Sequence, residues 1–274
     1  MEYLDTVSIC KINIGLFVTE KRSDGYHNIE TIFYPITKLY DHLIFKKSDN
    51  FEFECNIPSL QDDNIIIKAL KKLENYIDDK LPVKIVLHKN IPFGAGLGGG
   101  SSNAAETLKA LNLLFDLNLS TYELLQIASQ IGADVPFFIN PAPTFASGIG
   151  DYFTPIDFKI SYPILLVKPD FGISTKEAYA NIKPKKASID LKELSGKKFS
   201  LDLKLLPQIK NDFENFAFSK YSELENIKNE LLKFGAFFAM MSGSGSTIYG
   251  IFDNMDNLNL AKNFFNDKYQ TFIV

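Results

Sequence analysis

The spacing of apolar residues changes its period along the chain, and each period predicts one kind of element. Alternating apolar and polar residues over 7–14 predict a half-buried strand, and residues 29–36 predict a second strand. Apolar residues three or four positions apart then predict a helix over 66–77. Either Asp62 or Asp63 is placed to cap that helix, because aspartate favours the N-cap position.

A strand, a loop and two helices are predicted for the middle of the chain. The β-branched run 83–87 predicts the strand, and a glycine-rich loop follows it. The loop leads into a helix with an apolar stripe from Ala104 to Phe115, and Ser101 or Ser102 would be its N-cap. A capping box at Ser120 starts the next helix, which should end at Gly132.

Helices and strands are mixed in the last 110 or so residues without a strict alternation of the two. The order is therefore typical of the α+β class. The lysine-rich stretch 183–198 has few apolar residues and is predicted to be a surface connector. The remaining predicted elements are strands over 164–167, 236–241, 247–252 and 269–274, and helices over 208–218, 222–234 and 257–265.

Composition narrows the class of protein. The 274 residues are 46% hydrophobic and 23% charged, which is enough for a sizeable core. A net charge of −4 gives no basic excess to attract nucleic acid, so no nucleic-acid partner is expected. Cys10 and Cys55 are too few and too isolated for a disulfide framework or a zinc site. With no secretory signal and no run of 18 apolar residues, we expect a cytoplasmic protein without a membrane partner.

The segment 92–102, Pro-Phe-Gly-Ala-Gly-Leu-Gly-Gly-Gly-Ser-Ser, carries the strongest chemical signal. Five of its residues 94–100 are glycine, so backbone N–H groups can converge on one anion and positive φ angles are accessible. The helix that follows directs its free N–H groups and the positive end of its dipole to the same place. The segment therefore predicts a site for polyphosphate.

Three other interpretations of this segment fit less well. A plain flexible loop is unusual where a glycine run joins a helix so tightly. Gly94, Gly96 and Gly99 match the dinucleotide fingerprint, but about 90 residues of strand-rich chain precede them and no acidic residue follows a clear second strand. A Walker A loop is excluded because the segment has no Gly-Lys-Ser or Gly-Lys-Thr.

A second loop, Ser-Gly-Ser-Gly-Ser at 242–246, lies between two predicted strands. Taken alone, it is about as often a tight hairpin connection as a functional site. Together with the first loop, it is a candidate for the second wall of an active site.

Three separated segments, 11–16, 92–102 and 242–246, together resemble the motifs of the GHMP kinase superfamily, in order and over essentially the whole chain. The resemblance implies a two-domain α+β GHMP kinase fold with the active site in the inter-domain cleft. It also implies an ATP-binding domain over 1–155, a C-terminal domain over 156–274, and an ATP-dependent small-molecule kinase.

Two further segments are similar to one branch of that superfamily, whose substrate is a cytidine-diphosphate-linked sugar alcohol. They are Arg-Ser-Asp-Gly-Tyr-His at 22–27 and Gly-Ala-Asp-Val-Pro at 132–136. The 242–246 loop departs from the branch by having serine where threonine is expected, although the hydroxyls and the glycines are kept.

The resemblance assigns catalysis to Asp134 and Lys11. Asp134 would be the base for the acceptor hydroxyl, and Val135 before Pro136 would hold the backbone extended. The Lys11 ammonium would keep Asp134 ionised and stabilise transferring charge. Asn13, two residues along the same strand, would share the face of Lys11 and bind substrate. The alternatives are that Asp134 caps or pairs at the surface and that Lys11 is a snorkelling strand lysine.

The remaining site residues follow from the same resemblance. Tyr26 would stack on the cytosine, His27 would read its edge, and Tyr179 would supply a second aromatic ring. Further substrate contacts are assigned to Thr175, Ser242 and Gly243. Mg²⁺ should accompany ATP, with Ser102 as the best candidate ligand. The ATP-binding residues are Asn64, Pro92, Phe93, Gly94, Ala95, Gly96, Leu97, Gly98, Gly99, Gly100, Ser101 and Ser102.

The sequence alone leaves other functions open. A homoserine or mevalonate-type kinase has no cytosine to stack, so the Asp24–His27 segment argues against it. A non-catalytic nucleotide-binding module would not need both Lys11 and Asp134. A dinucleotide oxidoreductase is the least favoured of these alternatives.

Overall fold

The structure is a computed structural model that describes residues 1–199 and 204–274. Its helices are α1 (Ile65–Ile77), α2 (Gly99–Leu114), α3 (Thr121–Ser129), α4 (Thr175–Ala180), α5 (Glu214–Lys220), α6 (Ser222–Lys233) and α7 (Met255–Phe265). Its strands are β1 (Tyr3–Lys21), β2 (His27–Lys47), β3 (Glu52–Cys55), β4 (Val83–His88), β5 (Thr144–Ser147), β6 (Tyr152–Pro155), β7 (Lys159–Ile160), β8 (Ile164–Lys168), β9 (Lys198–Phe199), β10 (Ala236–Met241), β11 (Ile248–Phe252) and β12 (Gln270–Ile273).

The chain forms two compact units, each built from separated segments. The first unit contains Met1–Cys10, Leu39–Pro92 and Gly98–Pro141. The second unit contains Lys11–Lys38, Phe93–Leu97 and Ala142–Val274. The long strands β1 and β2 therefore contribute residues to both units. The domain boundary near residue 155 stays a prediction.

The first unit contains paired strands and a pair of packed helices. The C-terminal half of β2 pairs antiparallel with β4, from His42↔His88 to Lys47↔Val83, and β3 pairs parallel with β4. Helix α1 packs on α2 through an apolar face that includes Ile66, Leu70 and Leu73, all buried. Their i, i+4, i+7 spacing places them on one side of the helix, as the sequence predicted.

The second unit is built around a four-stranded antiparallel sheet with the order β10-β11-β8-β12. Helices α6 and α7 pack on this sheet. The N-terminal half of β2 pairs with β5, which pairs with β6. Antiparallel sheets with helices outside any regular βαβ order confirm the α+β class.

Most predicted elements after residue 160 lie where the sequence placed them, but the helix predicted over 208–218 begins six residues late, at Glu214. A short 3-10 turn covers Leu206–Gln208, and α5 begins only at Glu214. Residues 209–211 are instead extended, since Leu16 forms a parallel bridge with Asn211 and the Leu16 N–H donates to the Lys210 carbonyl at 2.8 Å. Pairing with β1 thus overrides the helical pattern.

Two other predictions are corrected. Residues 10–18 of β1 are all buried, although alternation predicted a half-buried strand. A strand covered on both faces need not alternate, so Lys11 and Asn13 are enclosed. The connector 183–198 is not wholly at the surface, because Leu191 and Leu194 are buried in the core. Leu191 lies against Gly15, where an added Cβ would be 2.8 Å from its Cδ2.

Candidate active site

The glycine-rich loop enters α2 in an unexpected way. Gly94, Gly96 and Gly98 have φ angles of 62°, 75° and 69°, a region that side chains disfavour. Gly98 is the N-cap, the helix starts at Gly99, and no side chain caps it. The predicted caps Ser101 and Ser102 are therefore wrong, since both lie inside the first turn. Without a side-chain cap, the first N–H groups of α2 are available to an anion.

A buried charged network holds the start of this loop in the first unit. The Asp41 carboxylate, which is fully buried, pairs with the Lys89 ammonium at 2.5 Å. Its oxygens also accept from the N–H groups of Asn90 (2.8 Å) and Ile91 (2.7 Å), and from the Asn103 amide in α2 (2.8 Å). Asp41 thus ties the chain before the loop to the helix after it. Burial lowers the pKa of Lys89, and the Asp41 carboxylate opposes that change.

Close packing accounts for one glycine of α2. A Cβ on Gly99 would lie 2.8 Å from Cγ2 of Ile91 and 2.9 Å from Nζ of Lys89. Only glycine lets the helix approach this network so closely. Ser102, in the same first turn, is buried, and Ser101 is half-buried.

Asn64 lies at the start of α1. Its Oδ1 accepts from the N–H of Ile66 at 3.0 Å, and its Nδ2 donates to the Leu60 carbonyl at 2.9 Å. Asn64 is therefore the N-cap, and the prediction of Asp62 or Asp63 in that role is wrong, because Asn64 is the residue in extended conformation directly before the helix. A cavity of about 410 Å³ lies here, lined by Asp62, Asp63, Asn64, Ile67, Lys68, Lys71, Lys72 and Asn75.

In the second unit, Lys11 and Asn13 meet a carbonyl of the glycine loop. The Lys11 ammonium donates to Asn13 Oδ1 at 2.6 Å and to the Gly96 carbonyl at 3.3 Å. It also lies over the Phe33 ring, 4.9 Å from the centroid. Asn13 Nδ2 donates to Thr31 Oγ1 at 2.9 Å. The expected common face of Lys11 and Asn13 is confirmed, and their burial excludes a snorkelling lysine.

The second loop packs against the same carbonyl. Ser242 Oγ donates to the Gly96 carbonyl at 2.9 Å and accepts from the Asn13 N–H at 3.3 Å. A Cβ on Gly96 would lie 2.1 Å from the Ser242 carbonyl oxygen, and a Cβ on Gly243 would lie 3.1 Å from the Gly96 carbonyl oxygen. The backbones are therefore in direct contact. The two glycine-rich segments, 146 residues apart at this contact, form one local structure.

The aromatic residues are also in the second unit. His27 is buried and stacks on Tyr179, with ring centroids 5.1 Å apart and an interplanar angle of 23°. Burial, with a smaller contribution from Lys21, lowers the pKa of His27. Tyr26 is 60% exposed. Thr175 hydrogen-bonds through its hydroxyl to Ser244 of the second loop at 2.9 Å.

Asp134 belongs to the first unit and follows α3 by five residues. It is half-buried, and Val135 after it has φ −63° and ψ −42°. That helical conformation shows that the predicted extended backbone before Pro136 is wrong. The chain instead enters a 3-10 helix, Pro136–Ile139, whose four side chains are buried, and this burial outweighs the local preference of a residue before proline.

Sequence reasoning missed several residues that hold the loops. Asp41 and Lys89 lie 48 residues apart, and no local pattern links them. Gly172 also escaped notice, although an added Cβ there would lie 3.0 Å from the Gly94 carbonyl oxygen. The sequence offers one weak signal for this pair: Asp41 and Lys89 are charged residues close to apolar strand residues, which suggests that the two charges are buried together.

Two family models match the chain. Residues 64–140 match the N-terminal domain of GHMP kinases, and residues 192–271 match the GHMP kinase C-terminal domain. The matches fall on either side of residue 155. Among the residues that the structure describes, no helix is both long enough and apolar enough to span a membrane.

Individual proteins agree with the family models. The chain is 45% identical to a 4-diphosphocytidyl-2-C-methyl-D-erythritol kinase from Bacteroides thetaiotaomicron, with 89% of this chain and 90% of the relative covered. It is 40% identical to the enzyme of that name from Chlorobium phaeobacteroides, with 98% and 96% covered. The crystal structure of a 4-(cytidine 5'-diphospho)-2C-methyl-D-erythritol kinase superposes with a TM-score of 0.81 at 28% identity, covering 98% of each chain.

Proposed function

Because the chain belongs to the GHMP kinases, and within them to the family of 4-diphosphocytidyl-2-C-methyl-D-erythritol kinases, we propose that it catalyses their reaction. It transfers the γ-phosphoryl group of ATP to the 2-hydroxyl of 4-diphosphocytidyl-2-C-methyl-D-erythritol, a step towards isoprenoid precursors by the non-mevalonate route. One observation carries the proposal: Lys11 and Ser242 both donate hydrogen bonds to the Gly96 carbonyl.

The first loop and the start of α2 bind the ATP phosphates in this proposal. The uncapped first turn supplies N–H donors and the positive end of the helix dipole. The left-handed glycines allow the backbone to approach the phosphates without side chains between them. Asn64 and the cavity at the start of α1 are assigned to the nucleoside part of ATP.

Magnesium enters with the nucleotide. Among the described residues, no group of three or more His, Cys, Asp and Glu side chains could hold a metal ion. Mg²⁺ typically keeps several waters and binds through phosphates with one or two protein ligands, so this arrangement fits an ion that ATP carries. Ser102 would supply a hydroxyl ligand, and the ion would neutralise charge between the β- and γ-phosphates.

The acceptor binds through its cytosine. A lowered pKa keeps His27 neutral near pH 7, so its ring presents one donor and one acceptor to a base edge. The exposed ring of Tyr26 stacks on the cytosine, and Tyr179 completes the aromatic site behind His27. Thr175 and Ser244, which hydrogen-bond to each other, lie next to Gly243 in the same unit.

Asp134 removes the proton from the 2-hydroxyl as that oxygen attacks the γ-phosphorus. The bond from the γ-phosphorus to the oxygen that bridges to the β-phosphorus breaks, and ADP leaves with the electron pair. The Lys11 ammonium stabilises the negative charge that the transferring group and the acceptor oxygen share. Asn13, hydrogen-bonded to Lys11, fixes the direction of the ammonium. A cytoplasmic location stays a prediction.

An ADP-release assay tests the proposed function. The purified protein is mixed with ATP, Mg²⁺ and one acceptor, which is 4-diphosphocytidyl-2-C-methyl-D-erythritol, homoserine or mevalonate. We expect rapid ADP release with the cytidine acceptor alone. Faster release with homoserine or mevalonate would reject the proposed acceptor, and ATP binding without release in any mixture would favour a nucleotide-binding module.

A further inference from the structure

A short segment, residues 210–214, which ends at the first residue of α5, connects β1 to the second loop through hydrogen bonds. On the β1 side, the Leu16 N–H donates to the Lys210 carbonyl and the Asp212 N–H donates to the Leu16 carbonyl, both at 2.8 Å. The Asp212 carboxylate also accepts from the Val18 N–H at 2.9 Å. The segment is therefore fixed to the strand that carries Lys11 and Asn13.

On the other side, Asn211 holds the beginning of the second loop. Its Nδ2 donates to the carbonyls of Met241 and Gly243, both at 2.8 Å, and its Oδ1 accepts from the Phe213 N–H at 2.9 Å. Asn211 is 3% exposed, so these bonds are shielded from water. Glu214 adds a bond from the Met241 N–H at 2.9 Å.

The two carbonyls that Asn211 binds stand on either side of Ser242. The hydroxyl of Ser242 in turn donates to the Gly96 carbonyl, which also accepts from the Lys11 ammonium. The position of Gly96 therefore depends on Ser242, and the position of Ser242 depends on Asn211. A primary amide suits this place because a single nitrogen donates two hydrogen bonds at once. An aliphatic side chain would leave two buried carbonyls unsatisfied.

We propose that Asn211 is a positioning residue for phosphoryl transfer, acting through the second loop on the Gly96 carbonyl and the Lys11 ammonium. The proposal rests on the proposed kinase function for its catalytic consequence. It assigns to Asn211 no contact with either substrate. Loss of the amide displaces Ser242 and Gly96, so the ammonium loses its fixed direction towards the transferring group. A misplacement of about 1 Å far from the chemistry can lower a rate about 100-fold.

The test compares Asn211→Ala with a matched control, Asn112→Ala. Asn112 also bonds backbone groups, since its Nδ2 donates to the Leu119 carbonyl at 3.0 Å and its Oδ1 accepts from the Leu119 N–H at 2.9 Å. It lies in α2 two residues before the helix ends, outside both loops. For each folded variant, thermal unfolding, kcat and both KM values are measured with ATP and the cytidine acceptor.

We expect Asn211→Ala to lower kcat about 10- to 100-fold, with smaller changes in either KM, because Lys11 acts on the transition state. Asn112→Ala should lower Tm but keep kcat within about twofold. Asn211→Ser, which retains one donor, should have an intermediate kcat, and it replaces the alanine variant if that variant does not fold. An unchanged kcat in folded Asn211 variants, or an equal loss in Asn112→Ala, would overturn the proposal.

Amide hydrogen exchange over 241–247 provides a readout that does not need activity. Faster exchange in this loop in Asn211→Ala, with no change in Asn112→Ala, is the expected result. Unaltered exchange would show that Asn211 does not hold the loop. A wild-type protein that releases no ADP with any acceptor would reject the kinase function, and the exchange data would still decide whether Asn211 fixes the loop.

Discussion

The two glycine-rich loops have similar compositions but use their hydrogen-bonding groups differently. In the second loop, Ser242 donates to the Gly96 carbonyl, Ser246 donates to the Phe171 carbonyl, and Ser244 pairs with Thr175. The first loop ends in a helix that no side chain caps. The N-cap Gly98 therefore leaves the first N–H donors of α2 without a side-chain cap, whereas the hydroxyls of the second loop bond to other parts of the protein.

The difference shows why glycine content alone does not identify a binding loop. Gly96 is needed because the backbone of Ser242 lies where its side chain would be. At Gly100, only Ile65 among the described residues comes within 4 Å of an added Cβ, at 3.7 Å. The first loop therefore combines a glycine that close packing requires with one that has room for a side chain. The second loop has no helix start after it, since β11 follows directly. We therefore expect substitutions in the first loop to affect ATP binding. Substitutions in the second loop should affect the positions of the Gly96 carbonyl and the Lys11 ammonium.

The largest effect should come from Asp134 and Lys11, the proposed catalytic pair. Substituting them tests whether Lys11, which contacts the same carbonyl as the second loop, is a reacting group. Asp134→Asn keeps the shape but removes the base, so kcat should fall about 10²- to 10⁴-fold with ATP binding nearly intact. Lys11→Met should lower kcat similarly. The double variant should be little worse than either single variant, because groups that act as a unit are not additive.

Steady-state kinetics and thermal melting on the same three preparations check this prediction. If Asp134 only ordered the chain before Pro136, Asp134→Asn would lose stability and keep a normal kcat in its folded fraction. Turnover like that of the wild type in Asp134→Asn would remove Asp134 from the mechanism.

The next largest effect is on the free energy of unfolding, and it is tested by substituting two glycines of the first loop. Gly96→Ala forces a left-handed alanine, with φ 75°, into contact with the Ser242 carbonyl. The free energy of unfolding should fall by about 2–5 kcal/mol, combining left-handed strain with overpacking. Gly100→Ala lies in a helical turn, where the added Cβ would make an ordinary van der Waals contact with Ile65, so it should leave the free energy of unfolding unchanged or raise it by up to about 1 kcal/mol.

Urea unfolding of both variants without nucleotide makes the comparison direct. Equal stability of Gly96→Ala and Gly100→Ala would mean that the two loops do not pack as closely as their backbones indicate.

A smaller effect is expected at the aromatic site, which belongs to neither loop. Tyr26→Ala should raise the KM for the cytidine acceptor about 5- to 150-fold, because stacking on a base contributes about 1–3 kcal/mol. The KM for ATP should change little. Initial-rate measurements with each substrate varied in turn separate the two constants, and equal changes in both would make Tyr26 a structural residue.

Local patterns predicted much of the fold and of the site. The capping box of α3 and the full length of α6 depend on neighbouring residues, and both are confirmed. The shared face of Lys11 and Asn13 follows from strand geometry alone and is also confirmed. The assignment of site residues to substrates stays a prediction.

Features that depend on distant chain segments could not be predicted. Serine favours N-caps, but the N-cap of α2 is Gly98, which has a left-handed conformation that serine disfavours. The extended segment at Asn211 exists because it pairs with Leu16 nearly 200 residues earlier, as the 194-residue separation of the neighbouring Val18–Asp212 bond illustrates. A single sequence carries no signal for the conformation of Gly98 or for the pairing of Asn211 with Leu16.

The smallest predicted effect is the pH dependence that His27 adds to the free energy of unfolding. It serves as a reference for the changes in that free energy in the loop variants. Burial, helped by the positive charge of Lys21, lowers the pKa of His27 in the folded protein below its unfolded value of about 6.5. Well above pH ~6.5 both states hold a neutral ring, and the contribution of His27 is fully present. As the pH falls below that value, the unfolded state binds the proton first, so the free energy of unfolding decreases until the pH passes the lower, folded pKa.

His27→Gln removes this titration while His42 and His88 remain in both proteins, so their contributions cancel in the comparison. Urea unfolding of the two proteins between pH 5 and 8 should therefore show a steeper loss of stability on the acid side in the wild type. Parallel profiles would mean that the ring stacked on Tyr179 is as easily protonated in the folded chain as in the unfolded one.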